Sequence, residues 1–351
     1  MTAGLLVVGT GLLGTSVGLA LHGDTDVVLA DRDPSALQTA CRRGAGRAWD
    51  GGERVAHVLL AVPPAAVAGE LVRLQRAGAG ETYSHVCSVQ APVQAAAEAA
   101  GAEPASLCGS HPMAGKESSG PAAATAQLFV GRPWALCPSA RTGAPALAAA
   151  RSLAERCGAV PLELPAAEHD AAVALASHLP QVTASALAAV LLARSAGELR
   201  LAGPGLQDTS RIAASAPAMW VEVLSQNARA VAPLVRELAD ELERAAAALE
   251  AVDRGRLEDL LRRGNAGRAL VPVKRGETDR DFAVVGVSVP DRPGQLAGVL
   301  VSAAEAGINV EDVRVEHLPG RPSGVIEVVV AADTRDAART ALAAAGWDVL
   351  A

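Results

Sequence analysis

An imidazole, an ammonium, a carboxylate and three hydroxyls fall within the twelve residues Gly109-Ser110-His111-Pro112-Met113-Ala114-Gly115-Lys116-Glu117-Ser118-Ser119-Gly120. A histidine there can move a proton near neutral pH, and the glycines let backbone approach a ligand closely. Half of the chain is apolar and only 20% is charged. So dense a stretch reads either as a functional loop on a rigid scaffold or as a plain surface turn. Ser88 ends an apolar run, and His178 lies in the polar cluster Ser177-His178-Leu179-Pro180-Gln181. Arg211 lies in Gly205-Leu206-Gln207-Asp208-Thr209-Ser210-Arg211-Ile212-Ala213. His178 could be a satisfied core histidine or a ligand group. Arg211 could pair with Asp208 or hold a ligand carboxylate bidentately. Spacing leaves both open.

Such groups need a scaffold, and the N-terminus announces one. The apolar run Leu5–Val8 leads into Gly9-Thr10-Gly11-Leu12-Leu13-Gly14, and residues 15–21 read as helix. In this pattern Gly9 makes the tight turn, Gly11 lets backbone approach a pyrophosphate, and Gly14 allows close helix–strand packing. A second strand, Val27–Ala30, ends on Asp31, seventeen residues after Gly14. A carboxylate there accepts from ribose hydroxyls and repels a 2′-phosphate, which favours NAD over NADP. Arg32 beside it pulls the other way. Strands at 55–62, 83–89 and 133–137 continue the alternation. Ligands of open parallel sheets sit at the carboxyl ends of the strands. The predicted cofactor-binding set is therefore Gly9, Gly11, Leu12, Leu13, Gly14, Asp31, Arg32 and Val62, with Ser88 and His111 on the same edge.

The remainder divides by pattern. Residues 1–164 read as an α/β Rossmann-type doubly wound parallel sheet, 165–263 as an all-helical domain, 264–280 as a linker, and 281–351 as β-α-β-β-α-β. In the helical part, Leu234, Leu238, Leu242, Ala245 and Leu249 mark a buried stripe. The run 171–193 carries no Asp, Glu, Lys or Arg. That is long enough to span a bilayer, but its polar middle favours a helix buried within protein, and no membrane partner is expected. The same run predicts a homodimer through the helical part, since it exceeds what one small domain readily buries. The net charge of −7 argues against nucleic acid. Five cysteines without a CxxC pair fit reduced thiols in a cytoplasmic protein, and no Cys/His spacing suggests a metal.

Taken together, GTGLLGTS, SVQAPV at 88–93, GSHPMAGKESSG at 109–120, HDAAVALASHLPQ at 169–181, GLQDTSRIA at 205–213 and DRPGQLAGV in the tail make the chain resemble a known family. It is similar to the prephenate/arogenate dehydrogenases of tyrosine biosynthesis that carry a C-terminal ACT domain. The resemblance implies NAD-dependent oxidative decarboxylation of prephenate, with His111 as catalytic base and Ser88 beside the same hydroxyl. It implies substrate-binding roles for His178, Arg211, Glu117 and Lys116. It also implies an amino-acid effector such as tyrosine at Asp291, Gly294, Leu296 and Asn309 of the ACT ferredoxin-like domain. Four positions depart from the family's usual residues: His85 for Asp, Gln90 for Lys, Gln181 for His and Gln207 for Arg. They suggest a less positive pocket, which opens arogenate or a 4-amino prephenate analogue as the substrate.

Two other readings compete. A β-hydroxyacid dehydrogenase also joins a Rossmann domain to helices but relies on a lysine there, and residues 165–270 contain none. A non-catalytic protein sensing NAD and amino acids would have no use for the set Ser88, His111, His178 and Arg211.

Overall fold

The computed structural model describes residues 4–116, 118–271, 282–317 and 323–350. The chain divides into two compact units, residues 1–246 and 247–351.

The first unit opens with β1 (Leu5–Val8), α1 (Leu12–Ala20), β2 (Val27–Ala30), α2 (Pro34–Arg42) and β3 (Arg47–Ala48). β4 (Val55–Leu60), α3 (Pro64–Arg76), β5 (Gly80–His85) and α4 (Ala91–Ala99) follow. β6 (Leu107–Pro112), β7 (Pro133–Cys137), α5 (Ala144–Arg156) and β8 (Val160–Glu163) complete one sheet in the order β3-β2-β1-β4-β5-β6-β7-β8. Both faces are covered. Leu5, Val7 and Leu29 pack with Val17 and Leu21 on one side, while Leu6, Val8 and Val28 pack with Leu71 and Leu74 on the other. That double burial is why β1 and β4 read as unbroken apolar runs.

The sheet is not wholly parallel. β6 pairs parallel with β5 but antiparallel with β7, and β8 runs parallel to β7. Between β6 and β7 the described chain has only a 3₁₀ turn at Pro121–Ala123, with no crossover helix, so it returns alongside as an antiparallel neighbour. β5 also stops three residues short of Ser88, which stands in the loop before α4.

The helices α6 (Ala166–Val173) and α7 (Leu179–Leu191) are joined by a π turn at Ala174–His178. Pro180 lacks the N–H that would bond the carbonyl of Ala176, so an unbroken α ladder cannot run through this point. α8 (Ala196–Leu199), α9 (Pro204–Ser210), a 3₁₀ turn at Arg211–Ala214, α10 (Pro217–Gln226) and α11 (Ala228–Glu250) follow. The burial expected here is incomplete within one chain. Ala166–Leu191 is long and apolar enough to cross a membrane, yet only 28% of its most apolar window is buried. Along α11, Leu234, Leu238 and Ala245 are half-buried while Leu242 and Leu249 are exposed. Periodicity marks the apolar face but not what covers it.

The second unit holds α12 (Arg254–Ala269), which carries through Gly264 and Gly267, residues read as the start of a linker. Two isolated glycines weaken a helix by about 1 kcal/mol each without stopping it. The rest of the expected linker, residues 272–280, lies outside the described residues. β9 (Phe282–Pro290), α13 (Gln295–Glu305), β10 (Asp312–His317), β11 (Ser323–Ala331), α14 (Arg335–Ala344) and β12 (Asp348–Val349) form a four-stranded antiparallel sheet in the order β10-β11-β9-β12, with two helices.

Candidate active site

The turn after β1 is shaped as its glycines require. Gly9 has φ of 100°, and a side chain on it would collide with the carbonyl of Ala61. One on Gly14 would meet the carbonyl of Gly9. At Gly11 nothing lies within 4 Å of a would-be Cβ, so the space there is open. Gly11 also caps α1 without any side-chain acceptor, leaving the first-turn N–H groups and the positive end of the helix dipole for an anion. The observations fit a dinucleotide pyrophosphate. Asp31, just past β2, braces this loop. Its Oδ2 accepts from Thr10 N at 2.6 Å and Thr10 Oγ1 at 2.8 Å, and its Oδ1 accepts from Asp33 N at 2.8 Å.

Beside this loop is a cavity of about 580 Å³, within the usual range for small-molecule sites. Gly11, Leu12, Leu13 and Ala61 line its cofactor side; Ser88, His111, Lys116, Ser118 and Ser119 line its middle; Ser177, His178, Met219 and Trp220 come from the helices. Val62, Asp31 and Arg32 are not among the lining residues. Glu117 lies outside the described residues. Lys116 reaches the wall but donates through Nζ to the Ala123 carbonyl at 2.9 Å. Arg211 is exposed at the start of its 3₁₀ turn and does not line this cavity. The 3₁₀ turn follows α9 directly, and α10 behind it supplies the wall residues Met219, Trp220 and Val223.

His111 was expected in a loop and is instead the fifth residue of β6, opposite Ala135 of β7. A strand holds it more firmly than a loop could. Its Nδ1 is 2.9 Å from His169 Nε2, and His169 Nδ1 is 2.8 Å from Asp170 Oδ1. The carboxylate of Asp170 accepts two more bonds, from Gln90 N at 2.8 Å and Ala91 N at 2.9 Å, at the N-terminus of α4. All three residues of the chain lie between α6 and the sheet, and both His169 and Asp170 are buried. The network assigns every proton. Asp170 accepts from His169 Nδ1–H, so His169 Nε2 accepts from His111 Nδ1–H, and His111 keeps a bare lone pair on Nε2. Desolvation, reinforced by His169, His178 and His85, pushes the His111 pKa down to about 3 and keeps the imidazole neutral.

His178 is 1% exposed and sits at the end of the π turn, its ring edge-to-face with Trp220 at 5.9 Å. Burial lowers its pKa below the usual histidine value. Asn227 Nδ2 donates to the Asp170 carbonyl at 2.8 Å and stands 3.1 Å from His178 Nδ1. Residue-type reasoning singled out Ser88, His111 and His178 but missed His169, Asp170, Asn227 and Trp220. The adjacent His-Asp at 169–170 was the available signal.

The departures at 85, 90, 181 and 207 lie off the cavity wall. His85 and Gln90 are fully buried beside Gly109, on the face of β6 that also carries His111. Gln181 is buried on α7, and Gln207 is exposed on α9. None of the four lines the cavity.

The second unit carries the remaining candidates. Gly294 has φ of 91° and caps α13, Leu296 is exposed on that helix, and Asn309 Nδ2 donates to Glu311 at 2.5 Å. Asp291 is exposed in the turn before Gly294.

Residues 17–163 match the nucleotide-binding domain of prephenate dehydrogenase, and residues 165–263 match its dimerization domain. The probable prephenate dehydrogenase NovF of Streptomyces niveus is 36% identical over 341 residues, covering 93% of each chain. The crystal structure of an arogenate dehydrogenase from Synechocystis superposes with a TM-score of 0.64 at 26% identity, over 75% of this chain and 98% of that one. A prephenate dehydrogenase from Aquifex aeolicus, solved with hydroxyphenyl propionate and NAD+, shares the fold with a TM-score of 0.69 at 23% identity, over 76% and 98%. With its glycine loop, its buried histidine chain and both domain matches, this protein belongs to the prephenate dehydrogenase family.

Proposed function

We infer that this chain is an NAD-dependent dehydrogenase that converts prephenate to 4-hydroxyphenylpyruvate and CO2. The bare Nε2 of His111 on a cavity beside the dinucleotide loop carries the reading. The first-turn N–H groups of α1 would hold NAD+, which would supply the acceptor for the hydride that leaves C4 of the substrate. His111 Nε2 takes the C4 hydroxyl proton as that hydride leaves, and returns it to the phenolate oxygen once CO2 departs and the ring becomes aromatic. His169 accepts from His111 Nδ1–H throughout, and Asp170 stabilises the charge that develops along the chain. Ser88, on the same wall, supports the hydroxyl. Arogenate, which carries an amino group on the side chain, keeps the C4 hydroxyl that meets His111, whereas with a 4-amino analogue His111 would take its proton from the C4 nitrogen instead.

The exposed Leu175, Val190, Leu192, Leu201 and Val221 of the helical part, together with the dimerization-domain match, support a homodimer. The βαββαβ order of the second unit and its glycine-capped α13 support an ACT domain that binds an amino-acid effector at Asp291, Gly294, Leu296 and Asn309. Purified protein, mixed with NAD+ and either prephenate or arogenate while NADH absorbance is followed, tests the activity and its preference. Absence of NADH with every diene would overturn the reading.

A further inference from the structure

We propose that Asn227 is a positioning residue which fixes His178 in its Nε2–H form, so that the cavity offers a neutral N–H donor to an acceptor oxygen of the substrate. The argument is one of proton assignment. An amide nitrogen can only donate, and Asn227 Nδ2 has two hydrogens. One goes to the Asp170 carbonyl at 2.8 Å, and the other faces His178 Nδ1 at 3.1 Å. That nitrogen must therefore be the acceptor, and the ring's only proton sits on Nε2, the nitrogen left for the cavity His178 lines. Asn227 is 4% exposed, so no solvent competes for the bond. The edge-on Trp220 ring holds the imidazole plane against rotation.

Two histidines on one cavity are thus set in opposite forms. His111 presents a lone pair and His178 presents a hydrogen. Asp170 anchors both, through its carboxylate for the first and its backbone carbonyl for the second. The acceptor suited to His178 is a carboxylate or keto oxygen of the substrate; a proton-bearing ammonium would be repelled from that spot. This inference rests on the substrate reading above, but its first test does not.

Nitrogen-15 NMR of selectively labelled histidine, on wild-type protein with NAD+ bound and no substrate, reads the form directly. His178 should show an unprotonated Nδ1 and a protonated Nε2, and the reverse pattern overturns the proposal whether or not prephenate turns over. Kinetics supply the second test. Asn227→Leu should raise KM for prephenate about tenfold, the scale of one lost hydrogen bond to a charged acceptor, with kcat changed far less. In a His178→Gln background, where the side-chain amide supplies the donor without any tautomer, Asn227→Leu should add little further. An equal KM rise in both backgrounds would make Asn227 merely structural and sink the idea. If Asn227→Leu does not fold, the wild-type spectrum alone decides.

Discussion

The rings of His111 and His169 meet edge to face, with centroids 5.1 Å apart and planes at 74°. This is the geometry of an N–H aimed at a lone pair rather than of stacked rings. It makes the two histidines a directional pair, with the proton-accepting end at the cavity and the anionic end buried against α4.

Replacing His111 by Asn keeps a polar side chain on β6 but removes the group that takes the proton. Turnover should fall at least about 10²-fold, the lower end of general-base contributions, while NAD+ affinity stays unchanged. NADH formation and fluorescence titration of the cofactor check the two halves. Undiminished kcat would remove His111 from the role.

Asp170→Asn tests the direction of the chain rather than its existence. In the Oδ2 place the amide oxygen can still accept from Ala91 N, which turns the NH2 toward His169 Nδ1. His169 must then carry its proton on Nε2, His111 must accept at Nδ1, and the base loses its lone pair at the cavity. We expect kcat to fall by roughly 10²-fold or more with fold retained. Circular dichroism establishes the fold, and a kcat within threefold of wild type would count against the assignment.

Gly11 and Gly14 should separate binding from stability. Gly11→Ala meets no atom within 4 Å, so thermal stability should hold while NAD+ binding weakens, because the methyl occupies space the pyrophosphate needs. Gly14→Ala drives a methyl into the Gly9 carbonyl and Val7. It should cost about 1–3 kcal/mol of stability as overpacking. Calorimetric melting and cofactor titration on both variants distinguish the two effects, and identical behaviour would refute the contrast.

Stability should depend on pH through buried neutral histidines. His57 Nδ1 lies 2.8 Å from Thr82 Oγ1 and its Nε2 lies 2.8 Å from Ser84 Oγ, so both nitrogens are occupied inside the sheet. Burial lowers the pKa of His57 to about 4, and that of His85 to about 4 with a further push from His169. The unfolded chain, with histidines near 6.5, binds these protons first. The stabilising contribution is therefore complete above about pH 6.5 and is lost as pH falls toward 4, by at most about 3 kcal/mol per group. Urea midpoints should hold from pH 7.5 to about 6.5 and fall from there to pH 4.5, and His57→Asn should flatten that slope. A flat wild-type profile would contradict the assignment.

Much of the scaffold was legible because its signals are local. Gly9, Gly11 and Gly14 each answer a steric demand within a few residues, and a strand buried on both faces has to be apolar throughout. What spacing could not reveal depends on distant partners. His169 and Asp170 matter only because α6 carries them to the back of β6 and the start of α4. His85 and Gln90 looked like pocket residues on the strength of their nearness to Ser88, yet both are buried against Gly109 rather than on the cavity wall. Leu242 and Leu249 announce an apolar stripe along α11, but one chain's sequence does not state which surface will meet it.

The π turn at 174–178 has a consequence best put as helical phase. His169 and His178 are nine residues apart, so at about 100° per residue a regular α-helix would set them about 180° apart, on opposite faces. A π turn takes one residue more than an α turn, which winds the second half back by about 100° and leaves the two near 80° apart. One irregular turn thus lets a single helical run hold both the inner end of the proton chain and the donor at the cavity. The phase slip places two functions on one rod.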